Sequence, residues 1–355
     1  GSATCALGYD ANWNVTSAVG KYKNGSILSS FSYTYSSGNN DTRLRQTISE
    51  TDQVANNTYS YSYDALNRLT QANVTAGTGT NYAYTYDGNG NITKKTAATS
   101  TISYAYNTAN ELCWAYSGVS SNPCASVPAG ATTYSYDANG NEAGTSSGGS
   151  FTYNAKNQTT AITYGGASLS SLSYSGEGQA LRASAASTSY DSGPLGLQIS
   201  SIGGNNTYYL RDNTGTLIGE RIGGNHDYYL SDALGSIVAV ISGDGLSVGD
   251  RYGYDPYGST ALHSGTVANA CGFAGGYTDT TGLVKFGARF YDPTTARWTQ
   301  GDPSSVPGAP CSYTYASDNP VTHLDSIGNL SASASPTFLS FPSFPLSSPL
   351  SPLFL

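Results

Sequence analysis

The chain has 355 residues, with 30 Tyr and 42 Gly, only 11% charged residues and a formal net charge of −8. That balance, with no basic run, argues against nucleic acid as the main partner, because such binding needs clustered Lys and Arg. No long stretch carries apolar residues at helical spacing and none is long enough to span a membrane, so the chain reads as all-β without a transmembrane segment.

Residues 1–31 contain Tyr9-Asp10-Ala11-Asn12 and two patches of alternating residues, an incomplete repeat. Over 32–226 a unit recurs: alternating Tyr, then Asp or Asn, then a small Gly/Asn/Ala turn, then a polar strand. Instances are Tyr59-Ser60-Tyr61-Ser62-Tyr63-Asp64-Ala65-Leu66-Asn67-Arg68-Leu69 and Tyr82-Ala83-Tyr84-Thr85-Tyr86-Asp87-Gly88-Asn89-Gly90-Asn91. The closing Tyr steps through 63, 86, 106, 136, 153 and 174, mostly near 20 apart, which marks a repeat architecture. Period-2 aromatics ending in Asp-x-x-Gly predict β-hairpins, with the acid accepting turn hydrogen bonds and Gly or Asn supplying positive φ. One hairpin cannot bury its aromatic face, so neighbours are expected to stack into a continuous Tyr-lined sheet.

Tyr208-Tyr209-Leu210-Arg211-Asp212 and Tyr228-Tyr229-Leu230-Ser231-Asp232 are near-copies 20 apart, so the sheet is expected to run on into residues 227–330. That stretch holds Tyr254-Asp255-Pro256-Tyr257-Gly258, Gly287-Ala288-Arg289-Phe290-Tyr291-Asp292-Pro293, Arg297-Trp298-Thr299-Gln300-Gly301-Asp302-Pro303 and Asn319-Pro320 through Asp325 to Gly328. The tail, 331–355, is Pro/Ser/Leu/Phe-rich; its prolines block a helix, which leaves docking on its own shell, strand addition to a neighbouring copy, or no docking.

Tyr-Asp followed by Gly-Asn-Gly-Asn or Ala-Leu-Asn-Arg-Leu resembles the YD repeat of Rhs proteins, Tc-toxin C components and teneurins, and 227–330 resembles the Rhs repeat-associated core. The resemblance implies a β-hairpin array coiled into a spiral shell, with the core turned inward as a plug. In that family the shell encloses a C-terminal toxin or serves adhesion. This shorter chain is expected to make a small or partial spiral with its lumen filled by side chains.

The resemblance also implies self-cleavage just after the core, through Arg289, Asp302 and Asp325. Their spacings of 13 and 23 residues fit the family. Two adjoining carboxylates cannot both ionise easily, so one holds a proton while the other acts as base on a water, and an Arg nearby either holds one Asp ionised or polarises the scissile carbonyl. The sequence departs from the motif: Ser305 stands where Gly is expected, and Asp325-Ser326-Ile327-Gly328-Asn329 brings Leu330 one position late. The cut would fall at Asn329–Leu330, and the chain runs on for 26 residues beyond it. The structural alternative has both acids capping turns and pairing with Arg289 or Arg297.

Of five Cys, Cys113 and Cys124 bracket a Ser/Asn/Pro loop that a disulfide could close, with Cys271–Cys311 a weaker pairing; buried free thiols are the alternative. No C-x-x-C occurs, and no histidine has a ligand-spaced partner, so neither metal nor cofactor is expected. Asn14, Asn24, Asn40, Asn56, Asn73, Asn91, Asn157, Asn205 and Asn329 open Asn-x-Ser/Thr sequons, which suit a glycosylated surface or arise by chance. There is no Met, so the chain reads as a processed or excised piece. Three functions follow: a secreted or cell-surface β-shell for scaffolding, encapsulation or adhesion; an autoprocessing aspartyl-type peptidase releasing a C-terminal segment; or a self-assembling subunit of an extracellular fibre. The partners expected are its own C-terminal segment, neighbouring copies, or glycans.

Overall fold

The computed structural model describes residues 4–12, 14–35, 44–52, 56–176, 181–213, 215–303, 312–325 and 327–328. Among them there is no α-helix, and no helix long and apolar enough to cross a membrane. The strands form three antiparallel sheets. Fifteen strands from Thr4–Tyr9 to Ala167–Leu169 and ten from Ser173–Ser175 to Thr260–Gly265 pair strictly in chain order; four short ones, Tyr277–Thr278 to Arg297–Trp298, make the third.

One local device builds the first two sheets. At the turn after Tyr86, Asp87 Oδ1 accepts the backbone N–H groups of Asn89 and Asn91, each at 2.9 Å, while Gly90 takes φ +88. The same i+2 and i+4 bonds recur at Asp64, Asn107, Asp137, Asn154, Asp232 and Asp255. Asn67, Asn110 and Asn157 replace Gly at the left-handed position, which Asn tolerates better than most side chains. Hydroxyls pair across strands on the exposed face: Thr34 with Thr47 at 2.7 Å, Thr85 with Thr93 at 3.0 Å and Thr152 with Thr160 at 2.8 Å.

The closing tyrosines explain the period. All but Tyr136, whose hydroxyl accepts the Leu112 N–H at 3.2 Å, donate the hydroxyl to the carbonyl of the residue that faces the previous closing Tyr, where a bulge interrupts the ladder. Tyr63 bonds Arg45 at 2.6 Å, Tyr86 bonds Leu69 at 2.5 Å, Tyr106 bonds Ile92 at 2.7 Å, Tyr153 bonds Glu142 at 2.7 Å and Tyr174 bonds Thr159 at 2.8 Å. The carbonyl acceptors Arg45, Leu69, Ile92, Glu142 and Thr159 pair with Tyr35, Tyr63, Tyr86, Tyr136 and Tyr153. Each unit is thereby tied to its predecessor by a side chain as well as by strand pairing.

The wall closes on itself. Ala18, Leu28, Phe31 and Tyr33 from its start pack with Leu230, Val238, Ala239 and Ile241 from near its end, and Lys23 N–H reaches the Gly245 carbonyl at 3.0 Å. The segment from Asp255 onward fills the inside. Tyr257, Ala296 and Val321 pack on Leu69, Tyr84, Ile92, Tyr104 and Leu112; Leu283 and Phe290 pack on Phe151, Ile162, Leu172 and Ala185. The plug keeps a core of its own from Phe273, Val284, Phe286, Tyr291, Trp298 and Tyr315. A cavity of about 100 Å³ remains beside Arg45, Tyr61, Asp232 and Pro320, enough for a few waters.

Two expectations change. The sheet is not unbroken: after the Gly165-Gly166 turn the return strand is three residues long, Ser171 turns left-handed at φ +56, and Leu172 is buried. Isolated bonds bridge the gap: Leu172 N–H to Thr160 O, Ala186 N–H to Ser170 O and the Tyr174 hydroxyl to Thr159 O. Nor do 31/32 and 226/227 coincide with breaks, because the strands Ile27–Tyr35 and Asn225–Ser231 run across them. The tail 331–355 lies outside the described residues.

Candidate functional site

The site grows from a tight turn in the plug. Between the strands Val284–Phe286 and Arg289–Asp292, Gly287 takes φ +38, and a Cβ there would collide with the Ile327 carbonyl. Gly328, at φ +63, leaves only 2.7 Å between an added Cβ and the Phe286 carbonyl. Glycine at both positions lets residues 327–328 lie against this turn, held by Ala288 N–H to Ile327 O at 3.1 Å.

Arg289 then projects into the plug and gathers four acceptors. Nε donates to the Gly328 carbonyl at 2.7 Å and Nη1 to the Ser312 carbonyl at 3.2 Å. Nη2 faces Asp302 Oδ2 at 3.1 Å and Asp325 Oδ2 at 3.2 Å. Asp302 is itself fixed by its N–H on Ser312 O at 2.9 Å. The guanidinium lies 4.2 Å from the Trp298 ring, whose Nε1–H is anchored on Thr314 O. All three ionisable groups are buried. Burial pulls Arg289 down to about 10 while the two carboxylates push it back up, so it stays cationic at neutral pH.

The three residues singled out in the sequence therefore meet at one guanidinium. Arg297 does not join them; it reaches the wall instead, at Asn91 Oδ1 and the Asn110 carbonyl. Gln300 and Tyr313 likewise bond the turn carbonyls of Asn157 and Gly140. The sequence reading missed Trp298, Ser312 and Gly328. Trp298 stands nine residues after Arg289, but the carbonyls of Ser312 and Gly328 leave no trace in residue types.

Between this segment and Asn319 the backbone is strained. Ala316, Ser317 and Asp318 hold consecutive φ values of +50, +52 and +61, each costing about 1–2 kcal/mol. Two other ion pairs fasten the plug to the wall: Lys95 to Asp255 at 2.8 Å and Arg182 to Asp279 at 2.6 Å.

The remaining candidates divide. Cys113 and Cys124 are joined by a disulfide with Cα atoms 5.5 Å apart, and the loop they close lies over the fully buried Trp114, whose Nε1–H points at Pro123 O. Cys271 is instead a buried free thiol packed with Tyr209, Tyr229 and Val240, and Cys311 lies outside the described residues. Asn91 cannot accept a glycan: it is 1% exposed, with Nδ2 donating to Asp87 and Asn110. Asn24, Asn56, Asn157 and Asn205 are exposed, Asn14 and Asn73 half-buried, and Asn40 and Asn329 outside the described residues. Among the described residues no cluster of three His, Cys, Asp or Glu could hold a metal.

Comparison with known proteins bears on this geometry. The teneurin YD-shell family model matches residues 199–321. The toxin subunit YenC2 of Yersinia entomophaga is 32% identical over 93 residues, 25% of this chain and 10% of that protein. The Tc holotoxin pore of Photorhabdus luminescens superposes at a TM-score of 0.57 with 16% identity, over 96% of this chain and 18% of its own. A crystal structure of TcdB2-TccC3-TEV gives 0.56 and 16%, over 92% and 18%. Residues 199–321 match the teneurin YD-shell family, and the chain as a whole has the fold of these Tc-toxin structures. It spans about a fifth of the solved YD-shell chains it resembles. Its β-shell is the scaffold that carries the Arg289 centre.

Proposed function

We propose that this chain works outside the cell as a self-filled β-shell, a scaffold whose own C-terminal third takes the place of cargo. The observation that carries this reading is the plug's contact with both halves of the wall: Tyr257 and Ala296 against the first sheet, Cys271 against the second. The relatives' Tc-toxin context supports an extracellular place and work beside other subunits, and exposed Asn24, Asn56 and Asn205 suit a glycan-bearing outer face. Small-angle scattering of the purified chain is expected to give the single-peaked distance distribution of a solid body. A hollow-shell profile overturns the reading.

A second reading is favoured by one arrangement: Arg289 brings two carboxylates and a main-chain carbonyl to a single rigid cation. That is the equipment for hydrolysing a peptide bond within the same chain, just beyond the plug. Incubated wild-type chain is expected to separate into a large shell and a short C-terminal piece, whereas Asp302→Asn and Asp325→Asn stay whole. Identical gel patterns for all three remove this reading.

A further inference from the structure

We propose that the cavity at the seam of the ring is a binding site for a short organic carboxylate, with Arg45 as its counter-ion. The cavity lies where three parts of the chain meet: Tyr61 and Ala72 from the first sheet, Asp232 and Val238 from the second, Phe273 and Pro320 from the plug. Arg45 borders it, 5% exposed, with its guanidinium 4.4 Å from the Tyr33 ring and the Tyr35 hydroxyl beside it. Its Nε–H is buried and finds no acceptor in the protein. Three other buried arginines are provided for. Arg182 pairs with Asp279, Arg289 with Asp302 and Asp325, and Arg297 donates to Asn91 and to the Asn110 carbonyl. Among the described residues, no carboxylate lies within ion-pair distance of Arg45.

A buried guanidinium is strongly unfavourable unless a negative charge comes to it. The acids that border the same cavity are committed elsewhere. Asp255 gives Oδ1 to the N–H groups of Tyr257 and Ser259, and Oδ2 to Lys95. Asp232 gives Oδ1 to the N–H groups of Leu234 and Ser236. Burial raises its pKa against those bonds and against Arg45, which makes it easier to protonate. Once protonated, Asp232 donates to an incoming carboxylate where an ionised acid would repel it. Glu50 is half-buried and keeps contact with solvent. The remaining lining is largely apolar, with Phe31, Ile48, Ala72, Val238, Phe273 and Val321. A charged head against Arg45 and an aliphatic body against these side chains fit a short monocarboxylate better than an inorganic anion, which has no body to bury. The size agrees: the cavity is about 100 Å³, somewhat smaller than the apolar cavity of about 150 Å³ that holds benzene.

Titrating sodium propionate into the purified 355-residue chain, against sodium chloride at equal ionic strength, tests this. Calorimetry is expected to show one saturable site with a Kd on the order of 1 mM, and the melting temperature is expected to rise with propionate by mass action. An equal rise with chloride, or no saturable heat, overturns the proposal. Arg45→Gln removes the charge and is expected to weaken binding at least about tenfold, the scale of losing one charge-assisted bond. Ala72→Leu keeps Arg45 but fills the cavity, and is expected to abolish binding; it decides the matter if Arg45→Gln loses the β-rich circular-dichroism spectrum. Propionate binding that is unchanged in either folded variant overturns the proposal.

Discussion

The wall and the plug are made of similar residues, Tyr, Gly, Asp and Thr, yet they hold together differently. In the wall every bond has copies: the Asp turn, the exposed Thr pair and the Tyr hydroxyl on the previous unit's carbonyl recur along the sheet. In the plug each contact occurs once. Arg289, Arg297, Trp298 and Tyr315 have different partners, and each ties together segments far apart in the chain. Repetition spreads stability over many small, equivalent terms, whereas a singular core concentrates it in a few side chains.

That contrast is open to measurement, beginning where the effect is largest. Trp298→Ala in the plug removes a fully buried indole that packs on Phe286, Tyr291 and Tyr315, and is expected to cost about 3–5 kcal/mol in denaturant unfolding. A loss below about 1 kcal/mol would place the plug on the same footing as the wall.

The next test concerns a buried wall residue outside the repeated bonding pattern. Glu220 is buried on a wall strand with Oε1 lacking a hydrogen-bond partner, and burial first, then Asp227, raises its pKa to about 7. The folded chain therefore binds this proton more tightly than the unfolded chain. The protonated form's contribution is fully present below about 4.5 and is lost as pH climbs through about 7, on the order of 3 kcal/mol. Glu220→Gln is expected to flatten the fall in melting temperature between pH 5 and about 8. An unchanged pH slope would show that the carboxyl finds solvent.

The smallest effect should come from the wall's own rungs. Tyr106→Phe deletes one of the hydroxyl-to-carbonyl bonds and is expected to cost about 1 kcal/mol, with Tyr63→Phe adding to it because the two are strands apart. Strong non-additivity would mean that the wall behaves as one body, not as a row of units.

How much of this could be read from residues alone follows the same division. The hairpins were legible because their causes are local: alternating Tyr, an Asp two and four residues ahead of its N–H partners, and a Gly or Asn that accepts positive φ. The closing Tyr was visible as a period but not as a bond, since its acceptor is a carbonyl, which every residue carries. The break at Ser171 went unseen for a related reason, as nothing in Ser170-Ser171-Leu172 distinguishes it from other polar turns. Arg289, Asp302 and Asp325 were chosen by family likeness, because no local pattern joins residues 13 and 36 apart. Asn91 looked like any sequon until Arg297 and Asn110 covered it.

The packing of Phe31 and Tyr33 against Leu230 and Ile241 has a consequence for biosynthesis. Those early aromatics leave the ribosome some 200 residues before the surface that shields them exists. At about 5–20 residues per second the nascent chain spends ten seconds or more with that apolar strip bare. Translation speed and holdase chaperones thus become determinants of yield, and a point change that leaves the finished protein intact can still lose it to aggregation before the ring is shut.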